Sequence, residues 1–545
     1  HLDRDKLVSK FASSAGHVAG RPLISSETGT WLAEHFTETL ADMKFLQDDL
    51  FLSGINHIFY HGCCYSPDEA GWPGWHFYAS YEMNPANSIW RDTPALNAYA
   101  ARCQSLLQSG RPDNDILLYW PIHDFWNDPA GRVEPFAVQD RAWLNEQSIG
   151  IAAEKLWERG WQFDYVSDRQ LAGASAAGGL VKVPGGGYRA VVIPSCELMP
   201  VATLSNLLRL AGSGATVIFD RQLPSDTPGL GNLAQRRGEL QSLLTRAKTT
   251  PGLRVDDLEA ELVAAGIARE TLLDHPGLMC LRRADDQGRI YFLANRGTNK
   301  FDGWLDLAAP AKTVIILDPM TGASGVADRR TGPSGGARVY VQLEPGQSLF
   351  LRALATRKIE APVWKYWKTA GDPVALAGTW QVKFLEGGPE LPASFATGHL
   401  ASWTEAGDTN AQRFAGTGLY TLHFDAPPNR GGESWRLDLG QVGQSARVRL
   451  NGQDLGTLFT PPFRAVVSGL KARDNLVEVE VCNVSANRIR DLDRRGVKWK
   501  NFHDINFVNV DYRPFDASNW PLTDSGLIGP VTLTPIMPVW ADEKR

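Results

Sequence analysis

Residues 21–31 read RPLISSETGTW and residues 53–62 read SGINHIFYHG. The first stretch is an apolar run at Pro22, Leu23 and Ile24, two serines, then Glu27. The second carries Ile55, Ile58, Phe59 and Tyr60 as a strand-like block closed by His61 and Gly62. Between them, residues 34–52 place Phe36, Leu40, Met43, Phe45, Leu46 and Leu50 near helical spacing. Strand, helix, strand at this distance predicts one parallel βαβ unit. The carboxyl ends of such strands face ligand, and Glu27 and His61 fall there. Trp31, His35, Tyr60, Tyr65, Trp72, Trp75 and His76 crowd the same two loops. Flat apolar faces beside a carboxylate are what a sugar site uses. The plainer roles are helix capping for Glu27 and rim packing for the tryptophans.

At 545 residues the chain is too long for one core and predicts three to five domains. An apolar share of 43% with 21% charged residues is ordinary for a globular protein. A net charge of −6 leaves no basic footprint for nucleic acid, and no apolar run is long enough to span a bilayer. Eighteen tryptophans suit carbohydrate contact as well as large β-domains. The six cysteines match no metal knuckle or disulfide framework, which leaves the compartment open between cytoplasm and periplasm.

The rest of the chain changes character in steps. Residues 1–110 read as the C-terminal part of a (β/α)8 barrel, with helices at 7–18, 34–52 and 94–108. Two strands cannot close a barrel, which needs about 250 residues. The expectation is that an N-terminal segment or a companion chain completes it. Residues 111–250 alternate buried β-branched runs (DILLY, AVVIP, ATVIF) with helices and predict a small α/β domain. Ser195-Cys196-Glu197 follows a strand like a nucleophile turn, but no G-x-S-x-G frame surrounds it, so it reads as structural. Residues 251–358 predict a small antiparallel β-sandwich, and 359–545 a helix-free β-domain of sandwich or jelly-roll type. Within the last, Asn451-Gly452 after a strand is a strong hairpin signal.

Four blocks carry a family resemblance: RPLISSETGTW, LFLSGINHIFYHGCCYSP, WPGWHFYAS and LLQSGRPDNDILLYWPIHDFW. They resemble glycoside hydrolase family 106, the α-L-rhamnosidases. The final domain, with GLYTLHF, LGQVGQSARVRLNGQDLG and DSGLIGPV, is similar to the galactose-binding-like jelly roll of other glycosidases. The resemblance implies hydrolysis of terminal α-linked L-rhamnose with inversion, which needs two carboxyl groups about 6.5–9.5 Å apart. It implies Glu27 as general base, a general acid on an earlier strand absent from these residues, and calcium at the site. No acidic cluster near Glu27 offers the oxygen ligands that calcium wants.

His61 is then expected to bind a sugar hydroxyl or the reacting water, or else to pack the rim. His57 alternates against Ile58 and Tyr60 and is expected to point into the barrel, while Trp31 and Trp75 are the expected stacking platforms. The run Trp499, Asn501, His503, Asp504, Tyr512 and Trp520 is expected to pack an interface between modules. Two other readings stay open: a retaining β-glycosidase of barrel plus jelly-roll type, and a non-catalytic carbohydrate-binding scaffold.

Overall fold

The computed structural model describes residues 5–134, 136–137, 141–428 and 434–539. Helix α1 (Lys6–Ala19) opens on Asp5, whose carboxylate accepts the Val8 N–H, and stops at Gly20 in the left-handed region. Strand β1 (Ser25–Thr28), helix α2 (Leu40–Leu52) and strand β2 (His57–Tyr60) follow, and the two strands pair in parallel. The βαβ unit is therefore present. Its helix begins at Leu40, later than the apolar spacing suggests. Phe36 sits at φ 66°, outside any helix, and Thr39 with Asp42 forms a capping box that fixes the start. Helix α3 (Thr93–Leu107) carries proline in its first turn, where the missing N–H costs nothing.

Register decides what the β1–β2 pair presents. Ser25 lies beside His57 and Glu27 beside Phe59. Side chains alternate along a strand, so Ser25, Glu27, His57 and Phe59 share one face, and none of them is buried. Ile58 and Tyr60 point the other way and pack against the helices. The Tyr60 hydroxyl accepts from Gln47 Nε2 at 2.9 Å and donates to Asn97 Oδ1 at 2.9 Å. Among the described residues the pair takes no third strand. On the outer side of β2, the Ile58 N–H is taken by Gln104 Oε1 of α3 at 2.8 Å.

Beyond α3 a five-stranded parallel sheet runs in the order Leu253–Asp256, Thr216–Asp220, Ala190–Ile193, Ile116–Tyr119, Phe163–Val166. Alternate residues of each strand enter two separate cores: Leu117, Val191 and Val217 on one face, Ile116, Val192 and Ile218 on the other. Burial on both faces is why these strands are continuously apolar.

Two antiparallel sheets of six and three strands come next and share a core that includes Leu293, Leu305, Val339 and Leu351. Two further sheets, of five and six strands, at the C-terminal end enclose Trp380, Tyr420, Trp435, Val479 and Leu533. Strands Ser445–Leu450 and Gln453–Leu458 form the expected hairpin, with positive φ at Asn451 and Gly452. This region is not free of helix: Ala486–Arg494 is helical and places Ala486 and Ile489 in cores.

The parts are closely joined. Arg282, buried in strand Leu278–Asp285, meets Glu270 at 2.9 Å, Asp113 at 3.2 Å and Asp115 at 2.5 Å. The core beneath β1 and β2 combines Ile24, Met43, Phe51 and Ile55 with Phe292, Phe350, Phe459 and Val484.

Candidate active site

Glu27 is the last residue but one of its strand and has a 64% exposed side chain. The next residues turn sharply at Gly29, where φ is 89° and a Cβ would meet Met43 Cε at 2.9 Å. That turn returns Thr30 toward Glu27. Thr30 Oγ1 donates to Glu27 Oε2 at 3.2 Å and lies 2.7 Å from His61 Nδ1; His61 Nδ1 is 3.8 Å from the same carboxylate oxygen. A hydroxyl has one proton to give. With that proton on Glu27, His61 donates from Nδ1 to Thr30. Glu27 Oε1 has no partner among the described residues. The His61 ring is held edge-on to Phe77 at 4.6 Å. His57 lies on the Glu27 face, 3.3 Å from Ser25 Oγ and 4.4 Å from the Phe59 ring.

Trp31 differs from the exposed platform the sequence suggests. It is 8% exposed, edge-on to Tyr81 at 5.5 Å, and its indole N–H donates to Glu38 Oε1 at 3.1 Å. Its ring supports the loop from within, because a buried indole N–H needs an acceptor and Glu38 supplies one. Trp75 is exposed, and its backbone N–H donates to Ser66 Oγ at 2.8 Å. Phe59 escaped the sequence reading. As part of an apolar block it looks like core, yet it is 53% exposed beside Glu27. Only the pairing register reveals this. Thr30 escaped as well, since its role depends on a turn rather than on a strand end.

Behind the surface lies a buried polar layer. Glu38 accepts from Trp31 and from Ser80 Oγ, and burial pushes its carboxyl up to about 7. His35 Nδ1 lies 3.1 Å from Glu82 Oε1; burial takes the imidazole down to about 3 and raises the Glu82 carboxyl well above its usual range. His76 is also buried, lowered to about 4, and its Nε2 accepts the Asn501 N–H at 3.1 Å. Trp499, Phe507 and Phe515 pack with Phe36, and Trp72 and Trp520 lean on that cluster. The C-terminal polar–aromatic run thus packs between parts of the chain through Trp499, Asn501 and Trp520, while Tyr512 stays exposed.

The cysteines offer no activated thiol. Cys63 is exposed and Cys64 half-buried, and burial raises both, Cys64 to about 11. Cys196 is buried, and the N–H groups of Glu197 and Leu198 beside it are taken by Asp124 at 2.9 and 2.6 Å. A nucleophile turn needs such groups free, so this turn is structural. Among the described residues, no group of three or more His, Cys, Asp or Glu is arranged to hold a metal ion. The carboxylates described around Glu27 do not by themselves make up the oxygen set that calcium wants.

The family model described as alpha-L-rhamnosidase, glycoside hydrolase 106, matches residues 5–326, more than half of the chain. The chain belongs to this family. The match takes in the Glu27 loop, both strands and the parallel sheet. A rhamnosidase structure from Novosphingobium sp. PP1Y superposes with a TM-score of 0.77 at 25% identity, covering 97% of this chain and 49% of that one. A Formosa agariphila protein described as "Putative beta-glucuronidase" is 32% identical over 192 residues, 30% of this chain and 16% of that protein. This family member thus spans about half the length of the rhamnosidase and about a sixth of the Formosa protein.

Proposed function

We propose that this chain supplies the base side of a glycosidase active site that hydrolyses terminal α-linked L-rhamnose with inversion. The observation that carries the reading is the exposed Glu27 carboxylate, oriented through Oε2 by Thr30 and His61 with Oε1 left for a reactant. In the reaction, Oε1 takes a proton from water as the water oxygen bonds to the anomeric carbon and the glycosidic C–O bond breaks. The Thr30–His61 pair fixes the carboxylate so that one oxygen faces the water. Phe59, beside it in register, gives a flat face for the sugar's C–H groups, and His57 and Trp75 are further substrate contacts on our reading.

The departing oxygen needs a proton from a second carboxyl about 6.5–9.5 Å away. We assign the acid to a strand that joins the β1–β2 pair in a completed (β/α)8 barrel, contributed by further sequence or by a companion chain. Residues 359–545 serve on this reading as a galactose-binding-like jelly roll beside the barrel.

The test is release of p-nitrophenol from its α-L-rhamnoside by the protein with its barrel completed, wild type beside Glu27→Gln. The isosteric amide keeps the shape and loses the base, so the rate should fall by about a hundredfold or more. Proton NMR of the first turnovers should show the β-anomer of rhamnose. An unchanged rate in Glu27→Gln, or the α-anomer as first product, refutes the assignment.

A further inference from the structure

A groove of about 450 Å3 lies between the loop after β2 and the C-terminal sheets, lined in part by Trp72, Asn87, Trp90, Arg91, Glu386 and Arg488. Its charges are not equivalent. Arg91 is matched by Glu386 at 3.2 Å and by Glu480. The Arg488 guanidinium has no hydrogen-bond or ion-pair partner among the described residues. Its guanidinium lies 3.7 Å over the Trp72 ring, and a Cβ on Gly388 would stand 2.6 Å from Nη1, so glycine lets the fork settle against backbone. The Nε atom is buried and unsatisfied. Asp491, whose charge acts on Arg488, is itself engaged by Arg495 at 2.9 Å and Arg413 at 4.0 Å.

A half-buried guanidinium with no acceptor is costly to keep, because each desolvated donor forfeits its water. Burial lowers its pKa to about 10, which still leaves it charged at neutral pH. Stacking on Trp72 offsets part of that cost and fixes the plane of the fork. Its planar donors match a planar carboxylate bidentately. Trp90, which also lines the groove, is 38% exposed and offers a ring face, while the Asn87 amide and Ser88 hydroxyl are already paired with Glu82, Ser485 and Asn483.

We propose that this groove binds a uronic acid residue of a carbohydrate, its carboxylate on Arg488 and its ring against Trp90. The site is separate from Glu27 and does not require hydrolysis there.

Calorimetric titration of this chain with D-glucuronic acid and with its methyl ester tests the idea, since the two ligands differ in charge and little in shape. The acid should bind about tenfold to a hundredfold more tightly than the ester. Arg488→Met should bring the acid down to the level of the ester, and Arg488→Lys should weaken the acid severalfold by losing the fork. Trp90→Ala should weaken both ligands alike, and Glu27→Gln should change neither. D-glucose 6-sulfate reports whether any anion suffices, and it should bind more weakly than the acid. Equal binding of acid and ester, unchanged binding in a folded Arg488→Met or Arg488→Lys, or no binding at millimolar ligand would overturn the proposal.

Discussion

Replacing Glu38 by glutamine should remove a pH-dependent weakness from the βαβ unit. Burial pushes the Glu38 carboxyl from 4.5 up to about 7, against the pull of its hydrogen bonds from Ser80 and Trp31; the Asp42 charge adds to the rise. In the unfolded chain the group ionises near 4.5. Between these values the native state holds a proton that the unfolded state has lost. Stability from Glu38 is therefore fully present below pH 4.5 and lost as pH rises to 7. A shift of this size corresponds to about 3 kcal/mol. His35 works in the opposite sense. Its pKa falls from 6.5 to about 3 on folding, so it adds stability as pH rises through that interval. The wild-type curve is thus a sum of opposing slopes, and the difference from Glu38→Gln reports the Glu38 titration together with its smaller effect on the neighbouring Glu82. Glutamine keeps an acceptor for Trp31 and Ser80 without titrating. Urea unfolding followed by tryptophan fluorescence should show the variant gaining about 3 kcal/mol on the wild type between pH 4.5 and 8. A constant gap across that range would mean that Glu38 is ionised in the fold, and the argument from burial would fail.

Trp31→Ala should cost about 3–5 kcal/mol, since it opens a core cavity and removes a donor from Glu38, whereas exposed Trp75→Ala should stay within about 0.5 kcal/mol; thermal melts of the two variants measure the contrast. Arg282→Met should destabilise by about 3–5 kcal/mol by stranding buried Glu270. Adding Glu270→Gln should recover part of that loss, and a double variant no more stable than the single one would speak against charge burial as the cause.

The main elements were legible because each has a simple period. Continuous Val and Ile runs marked the parallel strands, and Asn451-Gly452 marked a hairpin with its backbone requirement. The βαβ unit was legible from two apolar blocks at the right distance. Its surface was less so. In strands of four residues, alternation alone does not say which face is core, and Phe59 and Trp31 exchanged the roles their composition suggests. Thr30 gained its place from the turn at Gly29, and Glu38 from a tryptophan seven residues earlier. Arg488 sits in a helix that buries Ala486 and Ile489 and is otherwise rich in charge; its isolation depends on where Asp491 is already engaged.

The shared core under β1 and β2 has a practical consequence. Four-residue strands have almost no stability of their own, and phenylalanines roughly 230 to 430 residues further along the chain hold these in place. Trimming the chain toward a minimal fragment around Glu27 should therefore fail before Glu27 is ever touched: Phe292, Phe350 and Phe459 work as distant abutments for a carboxylate they never meet.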